Sequence, residues 1–213
     1  MKYLALAIIA AALMLPAPAA RAIPMTFGGI LSGANETPPN NSPGAGTVTV
    51  VLDPTAQTLQ ILASFFGLTT PDTAAHIHCC QTTPGNPATV MVATTMPTFG
   101  FNTPQQFPLG VTQETYLSPL FSLLDPNFYN SAFVMAHGGT IAGAENALIM
   151  GIENGLTYFN IHTGQNPGGE LRTQLVPLGV PVPGPIVGAG LPGLILACGA
   201  LLALGRRRRQ LVA

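Results

Sequence analysis

The sequence predicts a mainly β fold, an antiparallel barrel or sandwich carrying one or two short helices, with a membrane-crossing helix near its C-terminal end. Three observations carry that expectation. Short β-branched runs recur between Pro- and Gly-rich turns, the spacing expected of a sandwich or barrel. Charged residues make up only 7% of the 213 positions while Gly and Pro supply 24 and 21, a composition foreign to helical bundles and coiled coils. Residues 186–204 then form an uncharged run of about the length that crosses a bilayer.

The predicted strands follow in chain order. Residues 46–53 read Gly-Thr-Val-Thr-Val-Val-Leu-Asp, with Pro43-Gly44 before and Pro54 after. Further strands are expected at 57–68, 73–79, 89–94, 111–117, 156–163 and 170–176. Two stretches break the pattern. In 119–136, Asp125-Pro126-Asn127 is a helix start with Pro at the first position, leading into Phe128, Phe133 and Val134. In 143–154, Ala144, Leu148, Ile149 and Ile152 lie at helical spacing, and Asn154-Gly155 supplies a stop.

The two ends read as addresses. Residues 1–22 carry Lys2, an apolar run over 4–15 and the small-residue site Ala20-Arg21-Ala22, the form of a cleavable signal peptide; the apolar run is short for a transmembrane helix. Residues 177–185 are a Pro/Gly linker, 186–205 a membrane segment, and 206–213 an Arg-rich tail expected to stay cytoplasmic. Without the arginines, the glycine-rich run would also suit an assembly interface. The succession Val180-Pro181-Val182-Pro183-Gly184-Pro185, Gly188-Ala189-Gly190-Leu191-Pro192-Gly193, an apolar run and Arg206 to Arg209 resembles a PEP-CTERM sorting tail. That resemblance implies export, anchoring in the inner membrane, release by an exosortase-type enzyme, and a final place in the cell envelope or outside the cell.

Between these ends Arg172 is the only base, against Glu36, Asp53, Asp72, Glu114, Asp125, Glu145, Glu153 and Glu170. One arginine cannot make the positive stripe that nucleic-acid binding requires.

Few residues can carry chemistry. On a strand, His76 and His78 of Ala74-Ala75-His76-Ile77-His78 project from one face with Cα atoms about 6.6 Å apart, leaving Ile77 for the core. His162 shares a face with Tyr158 and Asn160, leaving Phe159 and Ile161 for the core. If the two strands meet, three imidazoles converge on one Zn²⁺ or Cu²⁺ ion, with affinity expected to fall as pH drops through about 6. Hydrogen-bonded structural histidines would satisfy the same pattern. Cys79 and Cys80 have three possible fates in an oxidising compartment: a vicinal disulfide, a cross-link to another chain, or thiolate ligation, with Cys80 on the histidine face if the strand continues. Arg172 fits a structural role, pairing with a carboxylate or fixing the Asn166-Pro167-Gly168-Gly169 turn.

Leu31-Ser32-Gly33-Ala34-Asn35-Glu36-Thr37-Pro38-Pro39, Ala75-His76-Ile77-His78, and the long run from Tyr158-Phe159-Asn160-Ile161-His162 through Pro167-Gly168-Gly169-Glu170-Leu171-Arg172 resemble the CHRD domain, the module first described in chordin. The resemblance covers residues 27–175, within an exported body of 23–176. It implies an immunoglobulin-like antiparallel barrel with a weak likeness to Cu/Zn superoxide dismutase and a binding or structural module without established enzymatic activity. An adhesive role toward extracellular matrix components is compatible with it. His76, His78, His162, Pro167, Gly168, Gly169, Glu170 and Arg172 sit on its pattern. A dismutase reading further demands a bridged copper–zinc pair and an arginine facing the superoxide anion; beyond the three histidines and Arg172, the chain offers only His137.

Overall fold

The computed structural model describes residues 24–97 and 107–179. The signal peptide (1–22), most of the linker (177–185), the membrane segment (186–205) and the Arg-rich tail (206–213) expected above lie outside the described residues. Among those described, no helix is long and apolar enough to cross a membrane.

Among the described residues, ten strands form one antiparallel sheet: β1 Met25–Ser32, β2 Ala45–Asp53, β3 Thr58–Phe66, β4 Asp72–His78, β5 Val92–Pro97, β6 Glu114–Leu117, β7 Phe121–Ser122, β8 Tyr158–Thr163, β9 Leu171–Gln174 and β10 Val176–Pro177. Their order is β5-β4-β8-β9-β1-β2-β3-β6, with β10 paired to β1 and β7 to β3. The sheet curls around a core built from alternating positions. Val48, Val50 and Leu52 of β2 and Leu59, Ile61, Ala63 and Phe65 of β3 are buried, while residues between them face outward.

Strand β1 is not among the expected strands, because Gly28-Gly29 interrupts its apolar run. Those glycines have a packing reason. A Cβ on Gly28 would stand 2.0 Å from the Val48 carbonyl oxygen of β2, so only glycine lets the two strands pair along their whole length.

Two short helices, α1 Ser131–Ala136 and α2 Ile141–Glu153, lie between β7 and β8. The start expected at Asp125-Pro126 makes only a 3-10 turn over Pro126–Phe128, capped by the Asp125 side chain on the Asn127 N–H. The backbone N–H of Asn130 is held by the Ala93 carbonyl, which stops that turn from propagating, and Asn130 caps α1 afresh. Helix α2 begins two residues before the expected position because Thr140 caps it on the Gly143 N–H. Ala144, Leu148 and Ile152 are its buried face.

The half of the sheet containing β4, β8 and β9 is buried on both faces. Ile77, Phe159, Ile161 and Leu171 point into the apolar core. The opposite face carries His76, His78, Tyr158, Asn160, His162 and Arg172, and the segments after β1 and after β4 cover it. Thr37 Oγ1 donates to the Pro87 carbonyl at 2.5 Å, joining the two covering segments.

Candidate metal centre

Strands β4 and β8 bring His76, His78 and His162 together. One nitrogen from each ring lies within 4.8 Å of the others, and this is the group of three metal-ligating side chains found among the described residues. The register explains it: Ala74 pairs with His162, His76 with Asn160 and His78 with Tyr158, so side chains two apart on each strand crowd one patch. The closest approach is a hydrogen bond of 3.3 Å, His76 Nδ1–H donating to His162 Nε2, which a cation bound by all three rings would replace.

Two carbonyls orient the rings. His78 Nδ1–H donates to Val90 O at 2.8 Å and His162 Nδ1–H to Pro167 O at 2.9 Å. Each bond leaves Nε2 with its lone pair facing the cluster, the arrangement by which metal-binding histidines are fixed. His78 Nε2 is buried and has no hydrogen-bond partner. A buried acceptor left unsatisfied is costly; a cation at the centre of the cluster would satisfy it.

The cluster is held neutral. Burial, then the mutual repulsion of the three imidazoles, pushes His76 down to about 3. Burial pushes His78 down to about 4 against the raising effect of its bond to Val90, and lowers His162. Neutral imidazole is the metal-binding form. For a metal held by these rings, competition by protons would therefore set in below the ordinary imidazole range.

Cys80 is not part of the set. Strand β4 ends at His78, and the Cys80 sulfur is bonded to that of Cys79, so no thiolate faces the histidines. The disulfide packs against helix α2, beside Gly151 and the Ala147 carbonyl.

The Pro167-Gly168-Gly169-Glu170-Leu171-Arg172 run serves the same face, each residue differently. Pro167 supplies the carbonyl for His162, and Gly168 completes the turn beside it. Gly169, at φ +130°, passes so close to Glu36 and Asn160 that a Cβ would lie 2.4 Å from Glu36 Oε1 and 2.3 Å from Asn160 Nδ2. Burial alone would raise Glu170; hydrogen bonds from Ser42 Oγ, Thr163 Oγ1, Thr69 N–H and Thr69 Oγ1 outweigh it and hold the carboxylate below its usual range. Glu170 thereby ties β9 to the segments after β1 and β3.

Arg172 acts on the carboxylate of Glu36, whose charged form it favours, and its hydrogen bonds go to the covering segments rather than to the Asn166-to-Gly169 turn. It is 2% exposed, with its guanidinium 3.5 Å over the centre of the Tyr158 ring and donating to Thr37 Oγ1 and Ala88 O, both at 3.4 Å. His78 stacks on Tyr158 at 4.5 Å and 11°. One ring face cannot take both neighbours at these distances, so imidazole, phenol and guanidinium form a three-layer stack. An arginine enclosed in this way is not placed to draw superoxide inward. His137, the remaining candidate for a second metal, caps α1 and lies against Phe133 at 4.3 Å.

Sequence reasoning assigns no role to Glu36. It is buried, accepts from Asn160 Nδ2 at 2.6 Å, and is pushed up to about 7 by burial against the lowering influence of Arg172.

In comparison with known proteins, the family model for the CHRD domain matches residues 27–175. No curated protein and no solved structure matches the chain.

Proposed function

The chain belongs to the CHRD domain family, and on that premise we propose that it is an exported, envelope-associated module of binding or structural type, without enzymatic activity, that holds one Zn²⁺ or Cu²⁺ ion through His76, His78 and His162. One observation carries the metal reading: three buried imidazoles converge within 4.8 Å, and the buried Nε2 of His78 has no other partner. Histidine nitrogens suit both ions, and three protein ligands leave one position for water. Bound there, the ion would join β4 to β8 and stabilise the face that the two covering segments enclose.

Export follows from the sequence features at the two ends: cleavage after Ala22, anchoring through 186–205 and release near Pro183-Gly184-Pro185 by an exosortase-type enzyme. The finer fold reading, an immunoglobulin-like barrel with a distant dismutase likeness, is supported by the single antiparallel sheet. The matrix is the expected surrounding.

Equilibrium dialysis of the purified full-length protein at pH 7.5 against Zn²⁺ and Cu²⁺ tests the metal reading. One ion per chain is expected, with retention at least tenfold weaker in each of His76→Ala, His78→Ala and His162→Ala. A wild type that retains no ion, or substitutions that leave retention unchanged, refutes it.

A further inference from the structure

The histidines are not the only buried polar groups on this face of the sheet. Asn160 lies between Tyr158 and His162 on the same face of β8 and is the direct register partner of His76 on β4. Directly opposed side chains on neighbouring strands have Cβ atoms about 4.5–5.5 Å apart. The residue is 1% exposed. Its amide is oriented by one strong contact, Nδ2 donating to Glu36 Oε1 at 2.6 Å, on the side where Gly169 passes toward β9. Strand β8 lies between β9 and β4, and with the amide nitrogen taken up by Glu36 the oxygen is the end left for the side of the sheet that His76 shares. That oxygen, Asn160 Oδ1, is buried and has no hydrogen-bond partner.

Two acceptors are therefore left unsatisfied on one enclosed patch, His78 Nε2 and Asn160 Oδ1. A bare cation answers the first. A cation carrying water in its fourth position answers both, because the water binds the metal through its oxygen and donates a proton outward. We infer that Asn160 is a positioning residue of this centre, its Oδ1 accepting a hydrogen bond from the metal-bound water while its Nδ2 is fixed by Glu36. The inference rests on the metal reading above and adds a residue beyond the three ligands. A ligand without a proton to donate would leave Oδ1 unsatisfied, so the centre favours water over such ligands.

The test separates the two ends of the amide. Asn160→Leu removes both. Asn160→Asp combined with Glu36→Gln reverses the buried pair: the new amide at position 36 donates to the new carboxylate at position 160, whose other oxygen still faces the histidines. Zn²⁺ affinity of the full-length protein is measured by competition with a chromophoric chelator, and the visible spectrum of the Co²⁺-loaded protein reports the coordination sphere. Expected are a loss of tenfold or more in Asn160→Leu, and in the double variant binding at least threefold tighter with shifted Co²⁺ bands. Wild-type affinity in Asn160→Leu overturns the inference, as does a double variant that binds no more tightly than wild type. If circular dichroism shows Asn160→Leu unfolded, the double variant decides. A wild type that retains neither Zn²⁺ nor Cu²⁺ in equilibrium dialysis overturns this inference and the metal reading together; wild-type binding with unmoved variants overturns this inference alone.

Discussion

Gly151→Ala is expected to destabilise the protein although it adds a better helix former to the middle of α2. By propensity alone, replacing an interior helical glycine with alanine gains about 1 kcal/mol. The surroundings oppose it. A Cβ at position 151 would lie 2.5 Å from Cys79 Sγ, 3.0 Å from Cys80 Sγ and 3.1 Å from Thr157 Cγ2. These are not the free ends of mobile side chains, since the two sulfurs are bonded to each other. Overfilling a packed interior costs roughly 1–3 kcal/mol, and a contact this short belongs at the upper end, which leaves a net loss of about 2 kcal/mol. For a protein of this size that corresponds to a fall in Tm of about 4–8 °C. Thermal and urea unfolding followed by circular dichroism measure it, and the same substitution in a Cys79→Ala/Cys80→Ala background completes a double-mutant cycle. With the sulfurs gone, Gly151→Ala should be neutral or stabilising. A Gly151→Ala protein as stable as wild type would refute the argument, and so would an equal loss in both backgrounds, which would place the obstacle elsewhere.

Two further outcomes are expected. Gly169→Ala forces a side chain into φ +130° and against Glu36 and Asn160; it should cost about 3 kcal/mol or more and weaken Zn²⁺ retention, and a variant with wild-type urea midpoint and retention would contradict this. Glu36→Gln tests the pH sign: the folded carboxyl titrates at about 7 against an ordinary value of 4.5, so the stability its neutral form contributes is fully present below about 4.5 and is lost as pH rises through about 7. A glutamine amide at this position cannot ionise, so the variant's stability relative to wild type should rise by about 2 kcal/mol between pH 5 and pH 8 in urea unfolding; a relative stability that falls over that range sinks the assignment.

The strands that alternate cleanly, β2 and β3, are legible from the sequence because each buries every second residue, and β8 is legible as a short, almost wholly buried run. Strand β1 is hidden because the glycines that let β2 approach also erase the alternation. Asp125-Pro126 carries a correct capping signal, but a hydrogen bond from Asn130 to a residue of β5 decides where the helix can start. The histidine convergence is readable from two same-face patterns. The Asn160–Glu36 pair and the Arg172–Tyr158–His78 stack are not. Asn160 and Glu36 are 124 residues apart, and only the strand order β4-β8-β9-β1 brings such partners together. Cys80 follows the strand pattern on paper, but its bond to Cys79 takes it out of that alternation.

The closing strand β10 lies along the opening strand β1, with Phe27 opposite Pro177 and the Leu178 N–H bonded to the Thr26 carbonyl at 2.8 Å. The polypeptide thus enters and leaves this unit at one doorway. A unit with such a doorway can be spliced whole into a surface loop of an unrelated host without stretching either junction. It can also be rewired: a short bridge from 179 back to 24, with the chain reopened in the turn between β2 and β3, would keep every strand neighbour while changing which residue is synthesised first.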